Sequence, residues 1–236
     1  MITPFTPRAV ADWLTDYCAD VLTRQDRFTI ALSGGSTPKA LHQLLTGPDY
    51  RDRIDWTRWH VFFGDERFVP LSDDRNNAKM AFETLLNHVP VPASQIHIMQ
   101  TENTTPNQSM ADYSALLHRY FDGRETTFDA VLLGLGDDGH TLSLFPGTDV
   151  VREKTNWTSA FWLEAQEMYR LTLTAPVVNR AVTVAFLVSG EKKKHALYEV
   201  RQGIYDPDLY PAQIIKPTTG HLLWFVDEAA GLPVLP

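Results

Sequence analysis

The stretch FDAVLLGLGDDGHTLSLFPGT, residues 128–148, joins a short apolar run to an abrupt polar loop. Residues 130–135 have the length of a buried strand, and glycines, two aspartates and His140 follow them directly. A buried strand that ends in such a loop is typical of open α/β sheets, whose sites lie outside the carboxyl ends of the strands. Because the unperturbed pKa of histidine lies nearest neutrality, we interpret His140 as a candidate proton-transfer residue.

Strand and helix patterns alternate along the rest of the chain, which favours a mostly parallel sheet with helices on both faces. We therefore predict an α/β fold with three α/β/α layers and a Rossmann-like sheet, in a single domain spanning residues 1–236. Strands are predicted at 28–32, 59–63, 96–98, 130–135, 169–174, 181–188 and 222–226. Helices are predicted at 10–22, 39–45, 77–86, 110–121 and 195–202, with a helical turn or loop at 176–180.

Composition narrows the class of protein. A chain of 236 residues with 44% hydrophobic content has enough apolar material for a core of ordinary size. The net charge of −8 argues against non-specific nucleic-acid or anionic-membrane partners. The chain has one cysteine, Cys18, so an intrachain disulfide is not possible. Cys18 lies in a helix-like pattern of apolar residues, which predicts that its side chain packs in the core. The sequence shows no signal-peptide or bilayer-length apolar pattern, so we expect a cytoplasmic protein.

Polar residues follow four of the predicted strands, in the segments 33–37 (SGGST), 64–67 (GDER), 138–140 (DGH) and 190–193 (GEKK). The carboxyl ends of parallel strands meet at one edge of a sheet, so these segments are expected to converge on one site. That convergence is stronger support for a site than any one motif.

The segment after the first predicted strand is typical of a phosphate cradle. Its glycines allow backbone amides to point at an anion, its hydroxyls add donors, and Pro38 suits the first turn of a helix. A plain strand–helix turn is the alternative. Arg67 and a lysine of residues 192–194 are candidate cations for the same anion, with solvated surface charges as their alternative. The cradle residues are Ser33, Gly34, Gly35, Ser36 and Thr37.

Gly134, Gly136 and Gly139 also match the dinucleotide fingerprint G-x-G-x-x-G. The fingerprint requires a strand–helix context, a clean anion pocket and an acidic residue about 20 positions later. The strand–helix context is compatible with this sequence, but Asp137 and Asp138 would stand where a pyrophosphate must bind, and Glu153 falls nearer than the usual spacing. No dinucleotide cofactor is therefore expected.

The carboxylates of the polar loops admit several roles. Asp65 and Glu66 are candidates to orient a water, hold Arg67, contact substrate hydroxyls or form an ion pair within their loop. Asp65, Asp138 and His140 could come together as a metal site, but because the chain has no motif of metal-ligand spacing such as H-E-x-x-H or C-x-x-C, no metal is expected. The chain also lacks a G-x-S-x-G elbow, which argues against a covalent acyl-enzyme.

Taken together, these motifs resemble the 6-phosphogluconolactonases and, more broadly, the superfamily that includes the glucosamine-6-phosphate deaminases. The resemblance implies hydrolysis of 6-phospho-D-glucono-1,5-lactone without a cofactor, in a monomer or weak homo-oligomer. It implies that His140 is the general base, oriented by Asp138 or Asp65. It also selects Lys193 among the three lysines and adds Arg170 to the substrate-binding residues. The matching segments are LSGGSTP (32–38), WHVFFGDERFVP (59–70), LGLGDDGHTLSLFPG (133–147), RLTLTAPVVNRA (170–181), VSGEKKKHAL (188–197) and PAQIIKP with WFVDEAA (211–230).

One position separates the two branches of this superfamily. Deaminases resemble DGHIAFNEPG, with a glutamate five residues after the histidine, where this chain has Phe145. The missing carboxylate argues against the deaminase alternative. A non-catalytic sugar-phosphate sensor on the same fold is the second alternative, although the chain offers neither room nor a basic surface for the DNA-binding module that such sensors usually carry. The pair Asn76–Asn77 resembles a Ser–Asn pair of the family, with the serine changed.

Overall fold

Strands and helices alternate along residues 2–231, the part of the chain that the computed structural model describes. The strands in these residues are β1 (Ile2–Pro4), β2 (Phe28–Leu32), β3 (Trp59–Phe63), β4 (Asp65–Arg67), β5 (Ile96–His97), β6 (Ala130–Gly134), β7 (Thr158–Leu163), β8 (Met168–Leu173), β9 (Thr183–Val188) and β10 (His221–Val226). The α-helices are α1 (Pro7–Leu22), α2 (Ser36–Leu45), α3 (Asn77–Ala81), α4 (Pro106–Phe121), α5 (Ala175–Val178) and α6 (Lys194–Gln202).

Seven strands form a parallel central sheet in the order β1-β10-β9-β6-β2-β3-β5. The register pairs Ile30 of β2 with Ala130 of β6, and Leu133 of β6 with Phe186 of β9. The four strands that the polar segments follow, β9, β6, β2 and β3, are therefore consecutive neighbours in the sheet. The predicted mostly parallel sheet is confirmed.

Side chains along the central strands alternate between two apolar cores. In β2, Ile30 packs into one core and Ala31 into the other, because successive side chains of a strand point to opposite faces. Residues of α1, α2 and α3 complete the first core, and residues of α4, α5 and α6 complete the second. Helices thus cover both faces of the sheet, and the predicted three-layer α/β/α arrangement is confirmed.

A small antiparallel sheet in the order β4-β8-β7 stands beside the central one. The sequence pattern indicates a loop at residues 64–67, does not predict β7, and places β8 among the strands of the parallel sheet. The predicted loop is wrong because Asp65 and Glu66 are buried and hydrogen-bonded, which allows polar residues to occupy a strand. Gly64 joins the two sheets: its N–H donates to Leu32 O, and its carbonyl accepts from Leu173 N, both at 2.8 Å.

Several helices begin earlier than their apolar patterns indicate, because capping residues extend them. Thr6 caps α1 by accepting from the N–H of Ala9 at 3.0 Å, and Thr105 caps α4 in the same way. Both helices then start with proline, which suits the first turn. The start of α2 at Ser36, and not at residue 39, has a consequence for the site described below.

Cys18 is buried in α1, where the indole N–H of Trp59 donates to its sulfur at 3.0 Å. Burial raises the pKa of this thiol to about 12, so the side chain packs as a neutral apolar group, as predicted. A search of residues 2–231 finds no helix with the length and apolar character needed to cross a membrane.

Candidate active site

Residues that follow β2, β3, β6 and β9 line one cavity of about 300 Å³ at the carboxyl edge of the central sheet. The small antiparallel sheet forms its other wall through β4 and β8. The expected convergence of polar strand ends is therefore present. The predicted residues that line the cavity are Ser33, Gly34, Gly35, Asp65, Arg67, His140, Arg170 and Lys193.

His140 is held by Asp138, two residues earlier in the loop after β6. Oδ1 of Asp138 lies 2.5 Å from Nδ1 of the imidazole and also accepts from the backbone N–H of His140 at 3.1 Å. Although partial burial opposes ionisation, the hydrogen bond and charge of His140 lower the pKa of Asp138. A carboxylate only accepts, so Nδ1 of the neutral imidazole carries the proton and Nε2 keeps a lone pair.

Gly136 fixes the approach of this imidazole to the loop. A Cβ atom at this position would lie 2.1 Å from Nδ1 of His140 and 2.5 Å from Oδ1 of Asp138. Only a glycine leaves room for the histidine–carboxylate pair so close to the backbone.

Asp65 contacts a different partner. Its Oδ2 accepts from Nη2 of Arg170 at 2.7 Å and from the hydroxyl of Ser143 at 2.8 Å. Both members of the ion pair are almost fully buried, with side-chain exposures of 3% for Arg170 and 8% for Asp65. Of the two carboxylates considered for orienting His140, Asp138 is thus the one in contact with it, and Asp65 fixes Arg170.

Arg67 and Lys193 bring positive charge to the cavity from opposite walls. Nη1 of Arg67 donates to Oδ1 of Asn77 at 2.8 Å, and Arg67 stands opposite Arg170 in the ladder between β4 and β8. Nζ of Lys193 lies 2.5 Å from Oδ1 of Asp137. Two guanidinium groups side by side, with a lysine across the cavity, form a binding site suited to an anion.

The carboxylate of Glu66 binds the protein backbone. The buried carboxylate accepts from the backbone N–H groups of Arg67, Asn77 and Ala78 at 2.7–2.8 Å and so closes the first turn of α3 against β4. Burial raises the pKa of Glu66 to about 7, against the lowering effect of these three donors. Among the roles considered for it, that of holding Arg67, through its backbone N–H, matches these contacts.

The glycine segment after β2 presents backbone at the cavity. Ser33 turns its hydroxyl inward and donates to Leu132 O at 2.6 Å. Gly35 adopts φ +108°, a conformation that favours glycine, and precedes α2 without a side-chain cap on the first turn. A Cβ atom at Gly34 would lie 1.8 Å from Oδ1 of Asn77. This close packing leaves the backbone of the segment as a candidate anion-binding surface.

Ser36 and Thr37 do not line the cavity with the other cradle residues. Because α2 already begins at Ser36, the helix directs the two side chains to a separate cavity that Ser189 and Asp227 also line. The carboxylate of Asp227 accepts there from the hydroxyl of Ser189 at 2.6 Å. The expectation that these hydroxyls extend the cradle is therefore not matched by their position, because they line a different cavity from Ser33, Gly34 and Gly35.

Asn77, Phe145 and Gln166 line the cavity but were not among the predicted site residues. The sequence marks Asn77 only as part of a pair that resembles the family, and Phe145 only as the residue that replaces a glutamate. Gln166 lies in the turn between β7 and β8 and carries no sequence signal, because its place depends on a strand pairing that was not predicted.

Two cofactor readings can be compared with the geometry. After Gly139, the chain forms a turn and an isolated bridge between Thr141 and Leu144, so the strand–helix context of the dinucleotide fingerprint is absent. Residues 2–231 also contain no cluster of three or more His, Cys, Asp or Glu side chains placed to hold a metal ion.

Comparison with known proteins places these features in a family. Residues 6–224 match the family model described as glucosamine-6-phosphate isomerases/6-phosphogluconolactonase. The chain belongs to this family. A protein of Synechocystis sp. named 6-phosphogluconolactonase is 39% identical over 226 residues, which cover 94% of this chain and 91% of the relative.

Solved structures of the family share the fold. The 6-phosphogluconolactonase of Thermotoga maritima superimposes with a TM-score of 0.83 and 25% identity, over 96% of this chain and 98% of that one. A monomeric glucosamine-6-phosphate deaminase superimposes with a TM-score of 0.81 and 18% identity, over 98% and 97% of the two chains. Because the fold accommodates both activities, the residues of the site must discriminate between them.

Proposed function

We propose that this protein hydrolyses 6-phospho-D-glucono-1,5-lactone to 6-phospho-D-gluconate, a step of the pentose phosphate pathway. The relative from Synechocystis sp. bears the name of this activity and aligns over nearly the whole chain, which supports the proposal. The observation that carries it is one cavity that combines a carboxylate-supported imidazole with Arg67 and Lys193. A proton-transfer group and an anion site are what a phosphorylated lactone requires.

Substrate binding follows from the charges of the cavity. The backbone around Gly34 and Gly35, together with Arg67 and Lys193, binds the phosphate group. Arg170, which Asp65 holds in place, offers its guanidinium to other substrate oxygens. Lys193 exchanges its contact with Asp137 for the substrate anion, and the negative charge of the substrate compensates for that exchange.

The chemical step uses the free lone pair of His140. Nε2 removes a proton from water while the water oxygen attacks the lactone carbonyl carbon, and a tetrahedral intermediate forms. When the intermediate collapses, the bond between C1 and the ring oxygen breaks, and the imidazolium returns its proton to that oxygen. Asp138 stabilises the imidazolium between the two transfers. The resulting carboxylic acid loses its proton to solvent.

The direct test follows lactone generated in situ from glucose 6-phosphate, against its uncatalysed hydrolysis. The wild type is expected to accelerate the reaction, and His140→Ala to lower kcat by at least about a hundredfold without loss of folding, since general acid–base catalysis contributes about 10²–10⁴-fold. Near-wild-type turnover in His140→Ala would reject this residue as the base.

Ammonia release from glucosamine 6-phosphate, measured in the same preparations, separates the deaminase alternative. We expect none, because Phe145 stands where a carboxylate is needed. Ammonia release without lactone hydrolysis would overturn the proposed function.

The cellular setting belongs to the same proposal. We place the protein in the cytoplasm, as a monomer or weak homo-oligomer without nucleic-acid or membrane partners. The acidic net charge and the single, buried cysteine support this setting. Analytical ultracentrifugation at micromolar concentration tests the assembly state, and a stable higher oligomer would contradict it.

A further inference from the structure

Gln166 reaches the cavity from the small antiparallel sheet. It lies in the tight turn that joins β7 to β8, which is completed by Glu167 in the left-handed conformation at φ +49°. The turn stands on the solvent side of the cavity, and Gln166 is exposed on one side while it lines the cavity on the other. It is thus positioned to meet a bound substrate.

Arg170 fixes the orientation of the Gln166 amide. Oε1 of Gln166 accepts from Nη1 of Arg170 at 2.8 Å. Because a guanidinium only donates, the amide oxygen must face Arg170 and the amide nitrogen must face away. Within residues 2–231, no acceptor lies in hydrogen-bond geometry to this nitrogen, so both of its N–H groups remain available to a ligand.

The guanidinium that orients the amide is itself rigid. Arg170 is buried, its Nη2 is fixed by Asp65, and Asp65 is fixed in turn by Ser143. Nη1 of Arg170 therefore holds the amide oxygen of Gln166 in a fixed place, and the amide nitrogen at the cavity is an oriented donor without a protein acceptor among the described residues. A substrate oxygen in the cavity is a suitable acceptor for this donor.

We propose that Gln166 binds substrate, by donating hydrogen bonds from Nε2 to a hydroxyl or carbonyl oxygen of the sugar. This inference rests on the proposed function and adds to it a specificity residue at the same site. An uncharged amide suits an uncharged sugar oxygen, whereas Arg67 and Lys193 suit the phosphate. Gln166 thus recognises the sugar part of the substrate, and a substrate that lacks the hydroxyl or carbonyl oxygen cannot accept this hydrogen bond.

The test compares two substitutions that differ in what they keep. Gln166→Glu retains an oxygen for Arg170 but replaces the donor nitrogen by an acceptor, whereas Gln166→Ala removes both. If Gln166 only positions Arg170, glutamate replaces it without loss of kcat/KM. If Gln166 donates to substrate, Gln166→Glu loses this hydrogen bond and its kcat/KM falls. We expect both variants to lower kcat/KM for the lactone by about tenfold or more, mainly through KM.

Ala165→Glu is the matched control for charge. It adds the same negative charge in the same exposed turn but has no place in the cavity lining. We expect its kcat/KM to stay within about threefold of wild type, as is usual for an exposed charge. A loss in Ala165→Glu equal to that in Gln166→Glu would assign the effect to charge and overturn the proposal.

The remaining outcomes are equally decisive. If Gln166→Glu has the kcat/KM of the wild type, Gln166 does not donate to substrate and the inference is overturned. This holds whether or not Gln166→Ala loses activity. A wild type without lactonase activity would instead reject the proposed function. The two failures are distinguishable because the wild type is assayed in the same series. In that second case, calorimetric binding of 6-phosphogluconate to wild type and Gln166→Glu tests the contact, and equal affinities or no binding to either would overturn it.

Discussion

The imidazole of His140 stacks on the phenyl ring of Phe145, with ring centroids 4.2 Å apart and planes inclined by 30°. The guanidinium carbon of Arg170 lies over the same phenyl ring, 5.3 Å from its centroid. Phe145 therefore contacts both the proposed base and a cation of the cavity wall. A flat, apolar side chain at this position fixes the plane of the imidazole without adding a second charge beside it.

Replacing Phe145 by leucine keeps an apolar side chain but removes the stacking surface. We expect kcat to fall about fivefold, with a small change in KM, because the imidazole is less well aligned and an aromatic pair is worth about 1 kcal/mol. Steady-state kinetics on the lactone measures this. Phe82→Leu is the control, because Phe82 is partly buried against the first core and does not line the cavity. Equal kcat values for Phe145→Leu and wild type would contradict the expectation.

Asp138→Asn tests the support of the base. Asparagine can donate to Nδ1, which favours the tautomer whose proton is on Nε2, and we expect kcat to fall about a hundredfold while KM changes little. Asp137→Asn removes the neighbouring carboxylate, which contacts Lys193 and not His140, and serves as the control for lost charge. If both variants lower kcat equally, the contact between Asp138 and His140 has no special role.

Arg67→Ala and Lys193→Ala remove the proposed phosphate contacts one at a time. Each is expected to raise KM about tenfold or more with a smaller effect on kcat, because a charge-assisted hydrogen bond is lost in the bound state. Lys192→Ala is matched to Lys193→Ala, since Lys192 lines a different cavity. Unchanged KM values in both cavity variants would show that the phosphate binds elsewhere.

His42 gives the fold a pH dependence that is separate from the site. The residue is buried, its Nδ1 lies 3.0 Å from the hydroxyl of Thr84, and its Nε2 has no partner among the described residues. Burial lowers the pKa of His42 to about 4 from 6.5. Between these two pH values, His42 binds a proton in the unfolded chain but not in the folded chain. The free energy of unfolding therefore falls as pH drops from 6.5 towards 4.

His42→Leu removes this contribution. Between pH 6.5 and 4, the variant is expected to lose about 3 kcal/mol less free energy of unfolding than the wild type. Urea unfolding across this pH range measures the difference. Thr84 still donates to Met80 O at 2.7 Å, so the substitution leaves no unpaired hydroxyl proton. Parallel pH curves for the two proteins would show that His42 titrates normally in the folded state.

The central sheet and the assembly of its polar strand ends were predictable from the sequence. Buried strands such as β6 and β9 are short apolar runs, and the parallel arrangement alone brings the loops after them together. His140, Arg67 and Lys193 therefore meet as expected. Strand ends are predictable because the sheet fixes them, and because glycine and charge mark where each strand stops.

The antiparallel sheet was not predictable from local patterns. Most residues of β7 are neither fully buried nor regularly alternating, and β4 carries two buried carboxylates whose partners come from distant residues such as Arg170. The orientation of Ser36 depends on whether α2 begins at residue 36 or about one turn later, at residue 39. A sequence pattern does not fix the start of a helix that closely. Gln166 enters the site only through the pairing of β7 with β8, a contact that the sequence pattern does not contain.

The two walls of the cavity have different origins in the fold. His140 and Asp138 belong to a loop of the parallel sheet, whereas Arg67, Arg170 and Gln166 belong to the antiparallel sheet, which joins the first at Gly64. The proposed proton-transfer pair thus comes from the parallel sheet alone, whereas the proposed substrate contacts come from both sheets. Changes in the length or sequence of the β7–β8 turn offer evolution, or a protein engineer, a way to alter substrate range while the proton-transfer pair stays intact.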